Sequence, residues 1–226
     1  FFNHSLELIS MKNHLFLAFS MLLIYSCSEG IEVSQSSTVD AAVKSTSFDR
    51  DPFESNYKPL ASERTLIKSV NLYDGLGNEF SNFDVLFDNG IIEEIGKDIV
   101  DSDATIIDAK GKWLTPGIID IHSHMGVYPA PGVRTSSDGN EATSPITAEV
   151  WAEHSVWTQD PQFSLALKGG VTAFHVLPGS ANLMGGRGAT FKNIPRNTIH
   201  DMKFPGAPHS LKMACGENPK RVYGNR

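Results

Sequence analysis

The run Thr115-Pro116-Gly117-Ile118-Ile119-Asp120-Ile121-His122-Ser123-His124 constrains this chain more than any other stretch. Pro-Gly is a turn signal. Ile118, Ile119 and Ile121 then form a short apolar run with little alternation, the pattern of a parallel strand buried on both faces. Two histidines one residue apart close the run. Side chains at i and i+2 of a strand share a face, so His122 and His124 can reach one point in space. Imidazole is the commonest protein metal ligand, and two on one face begin a site for zinc or a similar divalent ion. The Met125-Gly126 loop that follows places the pair at the C-terminal end of a strand, where barrel enzymes keep their chemistry. Asp120 is a candidate to steer one of the ligands.

Starting at Leu114, the same run resembles the first barrel strand of the amidohydrolase superfamily, the metal-dependent (β/α)8 hydrolases and deaminases. The resemblance continues through Gly169-Gly170-Val171-Thr172 and Val176-Leu177-Pro178-Gly179-Ser180-Ala181-Asn182. It also takes in Leu211-Lys212-Met213-Ala214 and Gly216-Glu217-Asn218-Pro219-Lys220-Arg221. Together these stretches are similar to an imidazolonepropionase-related bacterial branch, from about Ser62 to the last residue. The resemblance implies an α/β fold: the N-terminal part of a TIM-like (β/α)8 barrel over 116–226, preceded by half of a small β-sandwich domain over 62–115. It implies metal-dependent hydrolysis of a non-peptide carbon–nitrogen bond, in a cyclic or linear amide, by metal-activated water. A deaminase of the same superfamily and a non-catalytic ligand-binding surface lipoprotein are the alternatives. In the family, a carboxylated lysine or a glutamate from a later strand bridges the metals. Lys212 and Glu217 both qualify, and Glu217 is preferred for its place at a strand end. One or two ions fit, zinc foremost.

A barrel of this kind takes about 250 residues, and the stretch from Pro116 to Arg226 is less than half of that. About three barrel strands are therefore expected, and the chain reads as the N-terminal fragment of a longer enzyme. The general-base aspartate is expected beyond Arg226.

A net charge of -7 without a basic stripe argues against a nucleic-acid partner; the small-molecule amide substrate is what the resemblance implies. Two cysteines, Cys27 and Cys215, make no disulfide framework. Residues 1–10 precede the first methionine and read as upstream, non-native sequence. Met11-Lys12-Asn13-His14 leads into the apolar stretch Leu15 to Tyr25, a basic segment followed by a signal-peptide core too short to span a bilayer. Ile24-Tyr25-Ser26-Cys27 resembles a bacterial lipobox, which implies lipidation at Cys27. The expected location is then periplasmic or on the outer membrane, held to the membrane surface by acyl chains. Residues 28–61, rich in Ser, Thr, Asp and Lys, read as a flexible linker.

From Arg64 to Trp113 the pattern is of short strands, with Asn89-Gly90 a hairpin turn between apolar runs. Pro129 to Pro145 reads as a long loop over the barrel mouth, a lid or substrate-contacting element. Thr147 to Trp157 has helical spacing, with His154 in a packing role. Asp160-Pro161 is an N-cap followed by Pro at the first helical position, and Gly169 ends that helix. Strand, helix and Val171–Leu177 then make a βαβ unit, with His175 a satisfied interior residue. Pro178 to Thr190, with Gly185-Gly186-Arg187-Gly188, reads as the loop after the second strand, where Ser180, Asn182 and Arg187 are candidate substrate contacts. Leu211 to Ala214 is a further strand, and Cys215 a small buried packing residue.

Overall fold

The computed structural model describes residues 51–224. The signal-peptide, lipobox and upstream-sequence expectations, Cys27 included, lie outside the described residues. Among the described residues no helix is long and apolar enough to cross a membrane.

The first sheet comprises β1 (Thr65–Tyr73), β2 (Glu79–Asp88), β3 (Ile91–Gly96), β4 (Thr105–Asp108) and β5 (Trp113–Leu114). Its order is β3-β2-β1-β4, with β5 also pairing β1. β2 and β3 are antiparallel across Asn89-Gly90, and both of those residues take positive φ, as the tight hairpin turn requires. Val85 and Leu86 are neighbours on β2 and so point to opposite faces. Val85 packs with Val70, Leu72 and Ala109, and Leu86 with Leu66 and Ile99. A bulge in β1 sets Ser69 at φ 59, and its N–H meets the buried Asp84 carboxylate at 2.8 Å. Asp84 also accepts from Lys68 Nζ at 2.6 Å and Ile99 N at 3.1 Å.

The second sheet runs β6 (Ile118–Ser123), β7 (Val171–Val176), β8 (Met184–Lys192), β9 (Ser210–Met213), in that order. β6 and β7 are parallel, and α1 (Pro161–Lys168) lies in the connection between them. α1 starts where capping chemistry places it. Asp160 accepts from Gln162 N at 2.9 Å, Pro161 occupies the first turn and Gly169 caps the end. Its Phe163 stacks on Phe174 of β7, ring centroids 5.1 Å apart. Phe174, Val176, Phe191, Val127 and Met202 form the adjoining core. Two short helices follow, α2 (Ile199–Met202) and α3 (Glu217–Tyr223).

Several local expectations change in the folded chain. The Gly-rich stretch expected as a loop is largely strand: β8 runs antiparallel to both β7 and β9. Two of its glycines, Gly186 and Gly188, stand where a side chain would collide with its neighbours. A Cβ on Gly188 would lie 2.7 Å from His175 Nε2 and from Ser210 Oγ. The helix expected over 147–157 is reduced to a 3-10 turn at Ala152–Ser155. Ile118, Ile119 and Ile121 are 54%, 62% and 77% exposed rather than buried, and β6 is the edge strand among the described residues, with β7 as its one neighbour. Cys215 is exposed.

The linker expected over 28–61 also gives way earlier than residue 61. From Asp51 the chain is pinned by specific contacts. Asp51 bonds Lys203 Nζ at 2.9 Å, Ser55 Oγ donates to Lys203 O at 2.6 Å, and Asn56 N donates to His200 O at 2.9 Å. Phe53 sits edge-on to His154 at 4.3 Å and to Trp151 at 5.4 Å.

Candidate metal centre

The parallel pairing of β6 with β7 builds the centre. Leu177, just past β7, donates its N–H to Ser123 O at 3.0 Å, and its carbonyl lies 2.8 Å from His124 Nδ1. A carbonyl can only accept, so His124 Nδ1 carries the hydrogen and Nε2 is left with its lone pair free. An imidazole tied at one nitrogen and bare at the other is the arrangement of an oriented metal ligand. The His122 and His124 rings are 5.4 Å apart, centroid to centroid. Asp120 acts on the backbone: its Oδ1 accepts from His122 N at 3.1 Å.

The next group comes from the far side of the sheet. Lys212 on β9 places Nζ 3.1 Å from His122 Nε2. Its position is set by β8, where Gly186 is its register partner. Glu217 instead heads α3 as an exposed side chain and is not gathered with the histidines. Of the two later-strand candidates, the fold brings Lys212 to the histidines and leaves Glu217 out, because Lys212 lies inside the strand and Glu217 has turned away with the helix.

A cavity of about 290 Å3 opens beside His124, walled also by Tyr128, Asn140, Ser180, Asn218 and Arg221. Tyr128 OH accepts from Asn140 Nδ2, and burial pushes the Tyr128 phenol pKa up. Asn140 Oδ1 accepts from Ala181 N at 3.2 Å, so the long 129–145 loop reaches this cavity.

Among the described residues, the one cluster of three His, Cys, Asp or Glu groups close enough to share an ion is Asp51, Glu153 and His209. It is separate from His122 and His124, and an ammonium already takes the cation's place. Lys203 Nζ lies 2.7 Å from Asp51 Oδ2 and 2.6 Å from Glu153 Oε2. The contact to Glu153 is an ion pair by distance, while neither Glu153 oxygen makes a hydrogen bond. Burial, with Lys203 nearby, holds the His209 pKa below its ordinary value.

No family model matches the chain. It is 39% identical over 156 residues to amidohydrolase tasK of Hapsidospora irregularis, covering 63% of this chain and 16% of that protein. It is 40% identical over 81 residues to the dihydroorotase of Thermoanaerobacter sp. (strain X514), covering 36% of this chain and 19% of that protein. The crystal structure of an amidohydrolase from Thermotoga maritima MSB8 superposes with a TM-score of 0.65 at 43% identity, covering 71% of this chain and 41% of that one. The chain belongs to the amidohydrolase superfamily. It spans less than half the length of each of these relatives.

In amidohydrolase terms the second sheet is the N-terminal part of the barrel and the first sheet belongs to the small β-domain before it. The superfamily uses divalent metals, which gives the two histidines at the end of the first barrel strand their chemical context. Two of the expected substrate contacts lie elsewhere in this amidohydrolase chain. Asn182 is 1% exposed, and its Nδ2 faces Glu141 O at 2.5 Å and Ser144 O at 2.8 Å, knotting the loop ahead of the 3-10 turn. Arg187 lies over the Trp151 ring at 4.6 Å and donates to Ala148 O at 3.3 Å. Neither lines the cavity beside His124, whereas Ser180 does. His175 is satisfied at both nitrogens, by Thr190 Oγ1 at 2.8 Å and Ser210 Oγ at 2.6 Å.

Sequence reasoning missed Asn218 and Arg221 as site residues, although both stand in the Gly216–Arg221 run. It also missed Asp160 as more than a cap. The buried Asp160 carboxylate accepts from Gly126 N at 2.9 Å and Ala130 N at 3.2 Å, which ties the loop after the histidines to the start of α1.

Proposed function

We propose that the full-length protein hydrolyses a non-peptide carbon–nitrogen bond in a cyclic or linear amide, with a divalent metal held by His122, His124 and Lys212. The observation that carries this reading is the 3.1 Å approach of Lys212 Nζ to His122 Nε2, beside a His124 whose Nε2 is free. The donor set fits a metal. As an ammonium, Lys212 points a proton at the nitrogen that His122 would offer an ion, and among the described residues no carboxylate pairs with it. Addition of carbon dioxide to neutral Nζ, with loss of a proton, makes a carbamate whose oxygens are anionic ligands. With that change, Lys212 would join His122 and His124 as an anionic ligand for the metal.

Zinc suits nitrogen and oxygen donors of this kind. When bound, the metal supplies a water of lowered pKa and a polarised amide carbonyl. The chain's own part is orientation: Leu177 O fixes the His124 tautomer, and Asp120 holds the backbone of His122. The relatives named amidohydrolase and dihydroorotase favour hydrolysis over the deaminase and non-catalytic alternatives.

The test is to strip the full-length protein with a chelator, restore it with Zn2+, and assay cyclic and linear amides alongside His122→Ala and His124→Ala. Turnover that returns with metal in the wild type and in neither variant is expected. Turnover indifferent to metal and to both substitutions would sink the assignment.

We further propose that the protein is exported and acylated at Cys27, on the strength of the apolar stretch and lipobox-like residues before it. Labelled palmitate should enter the wild-type protein and not Cys27→Ala, and equal labelling of both would refute lipidation there.

A further inference from the structure

Resting on the hydrolase reading above, we infer that the amide substrate carries a carboxylate, and that Arg221 binds it in the cavity that His124 lines. The observations concern where charge stands around that cavity. Among the described residues Arg221 is its one cationic wall residue, and no Asp or Glu lines it. Among the described residues no ion pair engages Arg221, whose guanidinium spends one N–H on Asn218 Oδ1 at 3.2 Å. Asn218 in turn donates from Nδ2 to Ser180 Oγ at 2.6 Å, which leaves the Ser180 hydroxyl hydrogen free to point at a ligand. The wall thus offers the remaining guanidinium N–H groups and a hydroxyl, all donors. A planar guanidinium fork with spare N–H groups matches a carboxylate in two parallel hydrogen bonds.

The neighbouring cavity has the opposite character. About 410 Å3 in volume, it is lined by Asp138, Glu141 and Glu149 and, among the described residues, by no Lys or Arg, and it shares Asn140 with the first. A substrate anion is repelled there and attracted to Arg221, so charge alone orients the molecule, with its ionised end at α3. The cavity beside His124, about 290 Å3, lies at the small end of ligand sites. An acylated amino acid or a cyclic amide with one carboxylate is of that size.

Binding separates this inference from the chemistry. The zinc-loaded full-length protein is titrated calorimetrically with N-acetylglycine and with its neutral isostere N-acetylglycinamide. The wild type should bind the carboxylate at least about tenfold more tightly, the range of a charge-assisted hydrogen bond. Arg221→Met should bring the two ligands within about twofold, and Arg221→Lys should keep part of the preference, since it retains the charge and loses the fork. Unfolding midpoints of both variants near the wild-type value show that the fold is intact. Equal wild-type binding of the two ligands, or a preference that survives Arg221→Met, would overturn the inference. Amide turnover without any preference would leave the hydrolase reading standing and remove this one. The preference in a protein that turns over no amide would do the reverse, leaving Arg221 an anion-binding residue.

Discussion

Lys212 Nζ stands 3.1 Å from His122 Nε2, although 90 positions separate the two in the chain. The contact crosses the whole second sheet, from its last strand to its first, and it makes a test of the ligand set possible. In the full-length protein, Lys212→Ala should lower metal content and reduce turnover by on the order of 100-fold, the loss expected when metal-orienting groups are removed. Glu217→Gln should leave both near wild type. Metal analysis of the purified variants decides between the two residues, and the reverse pattern would restore Glu217 as the ligand.

Gly186 is the register partner of Lys212, and it has φ +114, where a Cβ would lie only 2.7 Å from Val150 O. Backbone cannot give way as a flexible side chain does. Gly186→Ala should therefore cost about 1–3 kcal/mol and draw Lys212 away from His122. A lowered unfolding midpoint together with reduced metal content is expected; a stable variant with full metal content would refute the coupling.

Lys203 and Glu153 are a buried ion pair, with side chains 4% and 0% exposed. Removing one partner strands the other charge in the interior, at a cost of about 3–5 kcal/mol. Lys203→Met should fall in that range by denaturant titration, and the Lys203→Met, Glu153→Gln double variant should recover part of the loss. A double variant as unstable as the sum of the two singles would show that the pair is not coupled.

Asp84 sets an acid limit on the small β-domain. Burial pushes its pKa up, but the Lys68 ammonium and the N–H groups of Ser69 and Ile99 outweigh burial and hold it below the ordinary carboxylate value. A carboxyl whose pKa is lower folded than unfolded contributes stability above its unfolded pKa of about 3.9, and that contribution is lost as pH falls through the folded value. Between neutral pH and about pH 4 the contribution should be flat, with decline below. Asp84→Asn should be less stable at neutral pH and show a shallower acid decline, read from unfolding midpoints across pH; parallel curves would remove Asp84 as the cause.

Local chemistry determined much of this molecule. Asn89-Gly90 forms its hairpin because few residue pairs accept two positive φ values, and α1 starts at Asp160-Pro161 because that pair satisfies a helix N-terminus without help from elsewhere. The two-residue period of a strand was enough to put His122 and His124 on one face, next to each other and after a turn. These features depend on residues within a few positions of one another, so they are visible in the string of letters.

Tertiary structure decided the rest, because it chose partners far apart in sequence. It made the Gly185–Gly188 stretch an antiparallel strand, since glycine there answers to His175, Ser210 and Val150 rather than to a turn. It buried Asn182 among loop carbonyls and laid Arg187 on Trp151, withdrawing both from the cavity. Between Lys212 and Glu217, five positions apart, it chose the one still held in the sheet when the chain passes His122. A side chain's identity states what it can bind; which strand lies beside it settles what it meets.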